Sequence, residues 1–398
     1  MDITITPGKL NGSITAIPSK SQAHRLLICG AFSDSETTLF CPQTNQDIEA
    51  TVACLNHLGA DIKRTENGYH IVPVTEIPDA ATLDCGESGS TLRFILPIVC
   101  ALGIKTTIHM SGRLPKRPLS PLWEELERMG CTLSKPTENT VCTTGRLHTG
   151  EYTVAGNISS QFITGLLFAT ALLNGESKIT VIGKLESKPY VDMTKQVLEL
   201  FSVHTQGLTV TGSYPFITPG NIMVEGDWSN GAFFMAANHM GNQITVNNLN
   251  HHSAQGDRVI ADILITKDHY PVIDATDIPD LVPILAVYFA SKNGAKFTGI
   301  RRLRLKESDR VASVCSMLSA LGISTSADEN TLIVNSGTFT GGTVDACGDH
   351  RIAMAAGIAA TVATGAVTIL NAHCVAKSYP AFWQEYERLG GKYEQYIR

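Results

Sequence analysis

Residues 343–370 read TVDACGDHRIAMAAGIAATVATGAVTIL, and this stretch decides the fold. TVDA predicts a strand, CGD a turn, HRIAMAAGIAATVA a helix with little charge beyond its first turn, and VTIL a second strand. The uncharged run from Ile352 to Leu370 could also be considered as a membrane span. It is mostly Ala, Gly and Thr, and Thr364-Gly365 divides it, so it lacks the length and hydropathy that a span needs. The stretch therefore predicts a buried unit of an α/β protein.

The same pattern of strand, turn and helix occurs six times. Internal repeats are sought first, because a missed repeat gives the wrong fold. The other five copies begin at ITAIPSKSQ, TLDCGESGS, YTVAGNISS, IMVEGDWSN and VIDATDIPD. One turn residue marks the register in each copy, and these are Ser21, Ser90, Ser160, Ser229, Asp280 and His350. Their separations are 69, 70, 69, 51 and 70 residues, so the short fourth interval marks where the symmetry breaks.

A second strand and a second, more amphipathic helix follow the first helix of a unit, as in WEELERMG and WQEYERLG. Gly130, Gly322 and Gly390 are the expected C-terminal stops of such helices. Six units of about 65–70 residues are too large for a simple solenoid and fit two domains of three units each.

Composition narrows the functional classes. The 398 residues carry a net charge of -6, with 17% charged and 43% hydrophobic residues, which is typical of a globular protein of two or three domains. This acidic balance argues against a nucleic-acid partner that needs a wide basic face. The N-terminal sequence MDITITPGKL does not resemble a secretory signal, so we expect a cytoplasmic protein without a membrane partner.

The sequence contains no recognisable metal-binding or nucleotide-binding motif. The ten cysteines include no C-x-x-C pair, so reduced, buried thiols are expected and no metal site is predicted. The glycine-rich turns GESGST and EGDWSNGA match neither the P-loop nor the dinucleotide fingerprint. We therefore expect no cofactor.

The beginnings of the first helices are the candidate functional positions. A buried helix with a polar N-terminus presents free N–H groups and the positive end of its dipole to an anion. If the units of each domain are related by rotation, six such ends face one cleft. The candidate residues of these turns and of the second loops are Ser19, Lys20, Ser21, Arg25, Gly89, Ser90, Arg113, Lys116, Arg117, Ser159, Ser160, Gln161, Ser187, Lys188, Tyr190, Asp280, Arg304, Lys306, Glu307, Asp309, Arg310, Asp349, His350, Arg351 and Lys377.

Each of these residues taken alone has a simpler interpretation, as a helix cap or a solvated surface cation. The segment Lys306-Glu307-Ser308-Asp309-Arg310 illustrates the choice, because it could be a charged helix cap or a carboxyl group placed for proton transfer beside phosphate-binding cations. The residues alone leave both open. Recurrence at equivalent positions favours a site for several anionic groups.

Ten motifs, in order over nearly the whole chain, resemble the EPSP synthase family of enolpyruvyltransferases. They are PSKSQAHR, GESGSTLR, KRP, NISSQF, ESKPY, VEGD, IPD, LKESDR, GDHRIAM and AKSYP. The resemblance implies two domains, each an inside-out α/β barrel of three βαβαββ units. It places hinges near Ser19 and Glu225-Gly226, so residues 1–19 plus 226–398 form one domain, with most phosphoenolpyruvate-side residues, and residues 20–225 the other, with most shikimate 3-phosphate-side residues.

The family transfers the enolpyruvyl group of phosphoenolpyruvate to the 5-hydroxyl of shikimate 3-phosphate by addition and elimination, without a metal. The resemblance implies that shikimate 3-phosphate is bound by Lys20, Ser21, Arg25, Ser159, Ser160, Gln161, Ser187, Tyr190, Asp280 and Lys306. It implies that phosphoenolpyruvate is bound by Lys20, Gly89, Arg117, Gln161, Arg310, Arg351 and Lys377. The catalytic set it implies is Asp280 as the base at the hydroxyl, Glu307 as the proton carrier at C3, Lys20 and His350.

Two positions depart from the common family pattern. Glu87 and Arg302 stand where many members have Asn, beside the phosphoenolpyruvate pocket and the shikimate ring respectively. A UDP-N-acetylglucosamine enolpyruvyltransferase is the alternative within the fold, but it carries a reactive Cys in the loop that here reads SGRLPKRP. A non-catalytic binder of anionic metabolites is the alternative from another class, and the presence of both Asp280 and Glu307 argues against it. A monomer that closes about its hinges when shikimate 3-phosphate binds, and then holds phosphoenolpyruvate or glyphosate more tightly, is expected.

Overall fold

The structure is a computed structural model that describes residues 1–266 and 269–396. The strands in this part of the chain are β1 (Asp2–Thr6), β2 (Asn11–Thr15), β3 (Thr37–Phe40), β4 (Asp61–Thr65), β5 (Gly68–Val72), β6 (Ala80–Asp84), β7 (Lys105–His109), β8 (Cys131–Thr137), β9 (Thr140–Gly145), β10 (Glu151–Ala155), β11 (Gly175–Ile182), β12 (Thr205–Gln206), β13 (Thr209–Gly212), β14 (Asn221–Met223), β15 (Gln243–Asn247), β16 (Val272–Asp274), β17 (Ala295–Thr298), β18 (Thr325–Ala327), β19 (Thr331–Val334), β20 (Gly342–Asp345), β21 (Val367–Leu370) and β22 (Lys392–Tyr396).

The helices alternate with these strands. They are α1 (Lys20–Ala31), α2 (Gln46–His57), α3 (Gly89–Leu102), α4 (Leu122–Arg128), α5 (Ser160–Leu172), α6 (Lys188–Leu200), α7 (Trp228–His239), α8 (Ile260–Ile263), α9 (Val282–Ala290), α10 (Arg310–Ala320), α11 (His350–Ala360) and α12 (Phe382–Arg388). Short 3₁₀ helices lie at Leu114–Lys116, Gly256–Val259, Arg301–Leu305 and Ala372–Lys377.

The chain divides into two compact units. Unit 1 comprises Met1–Ile17 and Gly226–Arg398, and unit 2 comprises Pro18–Glu225. The first crossing thus lies two residues before the expected position near Ser19. Ser19 belongs to unit 2, where its backbone N–H donates to the carbonyl of Glu225 at 2.8 Å.

The sheets of unit 2 share one topology. In the order β6-β7-β9-β8, the first two strands are parallel and the last pair is an antiparallel hairpin. Helix α3 connects β6 to β7, and α4 connects β7 to β8, which is the βαβαββ pattern. The sheet β10-β11-β13-β12 repeats it. The mixed α/β class and its repeat are therefore as predicted for these segments.

Two sheets take a strand from the other end of their unit. In unit 2, β14 from residues 221–223 pairs in parallel with β3 and completes the sheet β14-β3-β5-β4. In unit 1, β1 from the N-terminus lies between β21 and β22 and completes the sheet β20-β21-β1-β22. Each unit is therefore closed by joining its first and last segments.

The fourth repeat, which begins at IMVEGDWSN, is incomplete, and the prediction of six full βαβαββ units is wrong at this point. Unit 1 contains the four-stranded sheet β16-β17-β19-β18, but in the described part of the chain its third sheet has only the parallel pair β15 and β2. Between the end of β15 and the start of β16, the described residues form only a 3₁₀ turn and the four-residue helix α8. The short interval of 51 residues corresponds to this shorter connection.

The first helices of the units form the cores. Helix α5 is apolar on all sides and buried along its length, and it packs against α3, where the Cα of Gly165 meets the backbone carbonyl of Arg93. Strands such as β10 alternate buried and exposed residues, because one sheet face covers the helices and the other faces solvent. The second helices α4 and α12 bury only one stripe of residues.

The glycines at the C-terminal ends of the helices also agree with the predictions. Gly130, Gly322 and Gly390 have φ of 112°, 85° and 96°, which suits glycine just after a helix end. The uncharged run from Ile352 to Leu370 divides into the end of α11 and β21. Among the described residues, no helix combines the length and the apolar character needed to cross a membrane.

Candidate active site

Polar caps begin the buried helices. In unit 2, serine hydroxyls accept the first free N–H groups, at Ser19 of α1, Ser88 of α3 and Ser159 of α5. In unit 1, carboxylates take this role, at Asp227 of α7, Asp309 of α10 and Asp349 of α11. The helix-cap interpretation is therefore correct for Ser159, Asp309 and Asp349. The remaining residues of these first turns form the clusters described next.

One cluster of unit 2 surrounds the start of α3. A methyl group built on Gly89 would lie 2.6 Å from a guanidinium nitrogen of Arg117 and 2.6 Å from one of Arg93, so both cations lie against this glycine. Arg93 donates to Oε1 of Gln161 at 3.1 Å, and Nε2 of Gln161 donates to Ser90 at 3.0 Å. Gly89, Arg117 and Gln161, which the sequence assigned to one ligand, thus lie together.

Lys20 is held at the first turn of α1. Its ammonium group donates to Oδ2 of Asp47 at 2.8 Å, and the side chains are only 15% and 7% exposed respectively. Asp47 stands in the first turn of α2. A partly buried ion pair of this kind fixes the direction of the ammonium group at the helix start.

Arg25 connects α1, α5 and α6, and in α5 it donates to the hydroxyl of Thr164 at 3.3 Å. Its guanidinium donates to the backbone carbonyls of Ser21 at 2.6 Å and Tyr190 at 2.9 Å, and to the hydroxyl of Thr194 at 2.9 Å. Burial lowers the pKa of Arg25 to about 10. Arg25 therefore brings the first turns of α1 and α6 together.

The turns before α5 and α6 also adjoin. The backbone N–H of Glu186 donates to the carbonyl of Gly156 at 3.1 Å, which brings the turn carrying Ser159 and Ser160 beside the turn carrying Ser187. Ser187 is buried and has φ 56° and ψ 39°, a left-handed conformation that is uncommon outside glycine. Such strained, buried serines are characteristic of functional turns.

The cluster of unit 1 is built on Arg310. Its guanidinium is 1% exposed and contacts three carboxylates: Asp280 at 2.7 Å, Glu307 at 2.7 Å and Asp349 at 2.9 Å. These carboxylates come from the turns before α9, α10 and α11, which places the starts of the three helices around one cation. Burial would lower the pKa of Arg310, but the three carboxylates raise it, so it stays charged.

Asp280 has further cationic neighbours. Arg351 donates to its Oδ2 at 3.0 Å, and Nζ of Lys306 lies 3.7 Å from its Oδ1. Burial alone would raise the pKa of Asp280, but the cations around it hold it well below its usual range. Burial lowers the pKa of Lys306 to about 8, because Asp280 offsets that effect only in part.

The other predicted residues of unit 1 either adjoin residues of this cluster in sequence or pack against the helices that carry them. His350 is buried and begins α11, next to Arg351. Lys377 is buried at the end of the 3₁₀ helix Ala372–Lys377, which packs on α11. Arg302 is buried and its positive charge lowers the pKa of Lys306 together with burial and Arg310. The position that departs from the family pattern is thus within electrostatic reach of the site.

Glu87, the other departure, is exposed and lies directly against Gly112 in the loop before Arg117. Gly112 has φ 56°, and the absence of a side chain there makes room for the Glu87 carboxyl group. Glu87 therefore contacts the segment that carries Arg117.

Three residues of these clusters were not singled out from the sequence. Arg93 is buried at the start of α3, and a lone arginine inside the apolar run TLRFILP was the signal for it. Asp47, the partner of Lys20, looked like an ordinary first-turn acid. Asp257 accepts a hydrogen bond from Ser229, and burial together with the nearby charge of Asp280 raises the pKa of Asp257 to about 7.

Both units therefore place buried cations and hydroxyl groups at the starts of buried helices, and unit 1 adds carboxylates in contact with those cations. This arrangement suits ligands that carry several negative charges, together with proton transfer at their reacting atoms. No group of three or more His, Cys, Asp or Glu suited to a metal ion occurs in residues 1–266 and 269–396. The fold and the site together define an α/β enzyme of two units that acts on anionic small molecules.

Comparison with known proteins gives the family. The family model of EPSP synthase (3-phosphoshikimate 1-carboxyvinyltransferase) matches residues 5–386. Curated proteins named 3-phosphoshikimate 1-carboxyvinyltransferase from Clostridium novyi and Clostridium perfringens are 36% and 37% identical to the chain, each over 98% of both sequences. The chain belongs to the EPSP synthase family, and its activity is the enolpyruvyl transfer to shikimate 3-phosphate of the shikimate pathway.

Solved structures agree at the level of the fold. An EPSP synthase from Acinetobacter baumannii has a TM-score of 0.79 and 23% identity, covering 99% of this chain and 100% of the other. The enolpyruvyl transferase NikO from Streptomyces tendae has a TM-score of 0.75 and 17% identity, covering 99% and 98%.

Proposed function

We propose that the clusters described above carry out transfer of the enolpyruvyl group to the 5-hydroxyl of shikimate 3-phosphate by addition and elimination. The observation that carries the assignment is the contact of Arg310 with Asp280 and Glu307, since it places two carboxylates beside cations that can hold phosphate and carboxylate groups. Addition requires a base at the hydroxyl and an acid at C3 of the enol, and elimination reverses the transfer at C3.

Shikimate 3-phosphate is assigned mainly to unit 2. The adjoining serine turns before α5 and α6 supply hydroxyl and backbone donors for its phosphate, and Arg25 holds these turns to α1. The assigned residues are Lys20, Ser21, Arg25, Ser159, Ser160, Gln161, Ser187 and Tyr190, with Asp280 and Lys306 from unit 1. The donors of Arg25 are largely used by protein acceptors, so its proposed role is chiefly to position the site.

Phosphoenolpyruvate is assigned to residues from both units. Lys20, Gly89, Arg117 and Gln161 belong to unit 2, and Arg310, Arg351 and Lys377 belong to unit 1. Unit 2 thus supplies four and unit 1 three of the seven residues proposed for this ligand. The contact of Arg117 with Gly89 supports their assignment to one ligand group, because a guanidinium lies where a side chain would otherwise be.

Asp280 is the proposed base at the 5-hydroxyl. The cations that keep it ionised leave it ready to accept a hydrogen bond from the hydroxyl, and Lys306 stands beside it. Its low pKa makes proton removal costly until the oxygen has bonded to the enolpyruvyl carbon, so we infer that proton transfer accompanies C–O bond formation.

Glu307 is the proposed proton carrier at C3. In the free protein its carboxylate accepts a hydrogen bond from Arg310 at 2.7 Å. An anionic group of phosphoenolpyruvate that binds Arg310 would compete for this guanidinium and release Glu307 toward the substrate. His350, next to Arg351 at the start of α11, is the proposed neighbour that orients it, and Lys20 the proposed donor to the leaving phosphate.

The finer architecture and the setting of the enzyme also belong to the proposal. The burial of the first helices under sheets supports reading each unit as an inside-out α/β barrel, with hinges near the crossings at residues 17–18 and 225–226. All ten cysteines are free thiols, which supports a reducing, cytoplasmic setting. No metal takes part in the proposed steps, so a chelator should leave the rate unchanged.

The test is phosphate release from phosphoenolpyruvate with shikimate 3-phosphate, compared with UDP-N-acetylglucosamine as acceptor. Only shikimate 3-phosphate should support turnover. The variants Glu307→Gln and Asp280→Ala should each lose on the order of 10²-fold or more in kcat, while shikimate 3-phosphate still binds in calorimetry. Near-normal turnover in either variant would return that residue to a purely structural role.

A further inference from the structure

Four buried side chains of unit 2 form a row of hydrogen bonds that the proposed reaction does not use. Nδ1 of His24 lies 2.8 Å from the hydroxyl of Thr51, and this hydroxyl lies 2.7 Å from that of Thr91. Thr91 in turn contacts the hydroxyl of Ser88 at 2.7 Å. The first three residues are 0% exposed and Ser88 is 1% exposed, so water does not compete for these contacts. We call these four residues the His24 network.

The His24 network connects helices α1, α2 and α3. His24 belongs to α1, Thr51 to α2 and Thr91 to the first turn of α3. Ser88 caps α3, because its hydroxyl also accepts the backbone N–H of Thr91 at 3.2 Å. Threonine is a poor helix former, and its hydroxyl in a helix often bonds back to its own backbone. Here the hydroxyls of Thr51 and Thr91 meet between two helices, so they hold the helices to each other.

The acceptors at the α3 end set the direction of the protons. Each hydroxyl has one proton to donate. The proton of Thr91 can go to Ser88 or to the backbone carbonyl of Asp47 at 3.4 Å, and a carbonyl can only accept. Thr51 then donates to Thr91, and His24 donates to Thr51 through its Nδ1–H.

The other ring nitrogen of His24 supports this direction. Nε2 is buried and has no hydrogen-bond partner within the part of the chain that the structure describes. A buried N–H without an acceptor is rarer than an unused acceptor, so the proton belongs on Nδ1. Burial lowers the pKa of His24 to about 3, since the charge of Asp47 offsets this effect only in part. The ring is therefore neutral at physiological pH and donates one directed hydrogen bond.

Both ends of the His24 network adjoin residues proposed to bind phosphoenolpyruvate. At one end, Lys20 begins α1 and lies about one turn before His24. At the other end, Ser88 directly precedes Gly89, against which the guanidinium of Arg117 lies. The separation of these two parts of the proposed site depends on how α1, α2 and α3 pack at their starts.

We propose that His24 is a positioning residue for phosphoenolpyruvate, which acts through Thr51 and Thr91 to fix the start of α3 relative to the start of α1. The inference rests on the proposed assignment of these two helix starts to that ligand. The turns before α5 and α6, which are assigned to the phosphate of shikimate 3-phosphate, lie outside the His24 network. Loss of the network should therefore weaken the binding of phosphoenolpyruvate more than that of shikimate 3-phosphate.

The first test compares Thr51→Val with Thr51→Ser. Valine keeps the shape of threonine without the hydroxyl, whereas serine keeps the hydroxyl. Thr51→Val should raise the KM of phosphoenolpyruvate by roughly 3–10-fold, because the Nδ1–H of His24 loses its acceptor. Thr51→Ser should stay within about 2-fold of the wild type, and both variants should change the KM of shikimate 3-phosphate by less than about 2-fold.

A KM does not depend on the amount of folded enzyme, so partial unfolding cannot produce this result. Equal effects of valine and serine on the KM of phosphoenolpyruvate would overturn the proposal. Equal effects of Thr51→Val on the KM values of both substrates would do the same.

A double-mutant cycle tests whether the His24 network acts as one unit. His24 and Thr91 both bond to Thr51, so His24→Phe and Thr91→Val interrupt the same row of hydrogen bonds. Phenylalanine keeps a flat ring beside Phe94, and valine keeps the backbone N–H that Ser88 accepts. The double variant should raise the KM of phosphoenolpyruvate by about as much as the larger single change. Effects that simply multiply would show independent contacts and refute the proposal.

Nitrogen NMR of histidine-labelled protein gives an independent readout. The His24 ring, identified by its loss in His24→Phe, should carry its proton on Nδ1 and keep this state between about pH 6 and 9. Thr51→Val should shift its Nδ1 resonance, and Thr51→Ser should shift it less. A ring protonated on Nε2, or one that does not respond to Thr51→Val, contradicts the proposal.

Arg117→Ala separates this inference from the site assignment on which it rests. An unchanged KM of phosphoenolpyruvate in Arg117→Ala would overturn the assignment and the inference together. A raised KM in Arg117→Ala without one in Thr51→Val would overturn the inference alone.

Discussion

Gly89 shows how a single missing side chain shapes the proposed phosphoenolpyruvate site. The guanidinium groups of Arg117 and Arg93 occupy the space where a Cβ would lie. Both contacts are with the ends of flexible side chains, so a methyl group can be accommodated, but only if these cations move. The position of the Arg117 charge therefore depends on this glycine.

We predict that Gly89→Ala raises the inhibition constant of glyphosate by more than it raises the KM of phosphoenolpyruvate. Both compounds are anions of similar charge, but the bulkier inhibitor has less room beside a displaced Arg117. Inhibition kinetics with phosphoenolpyruvate as the varied substrate measure both constants. Gly86→Ala is unsuitable as a control, because Gly86 has φ 51° and alanine would be strained there. Glu87→Ala is the control instead, since it changes a neighbouring side chain that lies outside α3. Equal changes in both constants for Gly89→Ala would contradict the prediction.

Lys306 is predicted to set an alkaline limit on activity. Its pKa is about 8 because burial, Arg310 and Arg302 disfavour its charge more than Asp280 and Glu307 favour it. Below this pH Lys306 is a cation, and above it the ammonium charge is lost. If that charge is needed for the anionic substrate, kcat/KM for shikimate 3-phosphate should fall as pH rises above about 8.

The matched variant is Lys306→Arg, since arginine stays protonated throughout this range. Its kcat/KM will be lower, but the fall between pH 8 and 9.5 should disappear. A profile of the same shape in both proteins would assign the alkaline limit to another group.

The individual residues of the site also show which contacts could not be predicted from the sequence. The motif LKESDR left open a charged helix cap with local pairing or a carboxyl group beside cations, and the structure brings Arg310 into contact with both Glu307 and Asp280. The partners that hold the predicted cations, Asp47 and Arg93, were missed because a first-turn acid and a lone helical arginine have common structural roles. Which role applies depends on contacts between segments far apart in the chain.

At the scale of elements, the close approach of α3 and α5 fixes the distance between two helix starts of the proposed site. Gly165 of α5 meets the backbone of α3 at Arg93, with no space for a Cβ. Backbone cannot move aside as a side-chain end can. The glycine is therefore required by packing and not by its own backbone angles.

We predict that Gly165→Ala destabilises the protein by about 1–3 kcal/mol, the usual cost of overpacking a core, and lowers kcat/KM because Gly89 and Gln161 move apart. Gly231→Ala is the matched control. This helical glycine lies in α7, where a Cβ would be 3.4 Å from a Leu249 side-chain carbon, so alanine should be neutral or stabilising. Chemical denaturation of both variants measures the difference, and equal stabilities would contradict the packing argument.

The repeat was predictable at this scale as well, because the spacing of turn residues is a property of the chain alone. The same spacing also indicated the unit that departs from the pattern. The interval of 51 residues after Ser229 is shorter than the other intervals of 69 or 70 residues, and among the described residues only β15 and β2 pair there. The strands that join the two ends of each unit, β14 and β1, could not be assigned from periodicity, because their partners lie up to about 390 residues away.

At the scale of the whole molecule, the proposed ligand sets are divided between the units. Shikimate 3-phosphate is assigned to residues of unit 2 together with Asp280 and Lys306 of unit 1, and phosphoenolpyruvate draws on both units as well. Neither unit alone contains all the cations for either ligand. A ligand that binds groups of both units restricts their relative motion, and this restriction costs part of its binding free energy.

We predict that shikimate 3-phosphate strengthens the binding of phosphoenolpyruvate, and of glyphosate, by roughly 5–150-fold, the usual range of coupling between sites. Calorimetry of glyphosate with and without shikimate 3-phosphate measures the factor, and reciprocity requires the same factor when the order is reversed. Asp280→Ala, which removes a unit 1 contact of the first ligand, should reduce it. Independent binding of the two ligands would refute the coupling.

The placement of β1 has a consequence for biosynthesis. Unit 2 contains all of its own strands once residue 223 has been made, so it can fold while the ribosome is still translating the second half of unit 1. Strand β1 is synthesised before the other strands described here, but it lies between β21 and β22, which emerge after them. At roughly 5–20 residues per second, β1 waits on the order of 20 s or more for these neighbours. Its sequence DITIT has neither of these sheet partners during that time, so we expect this segment to be open to premature pairing with other strand edges.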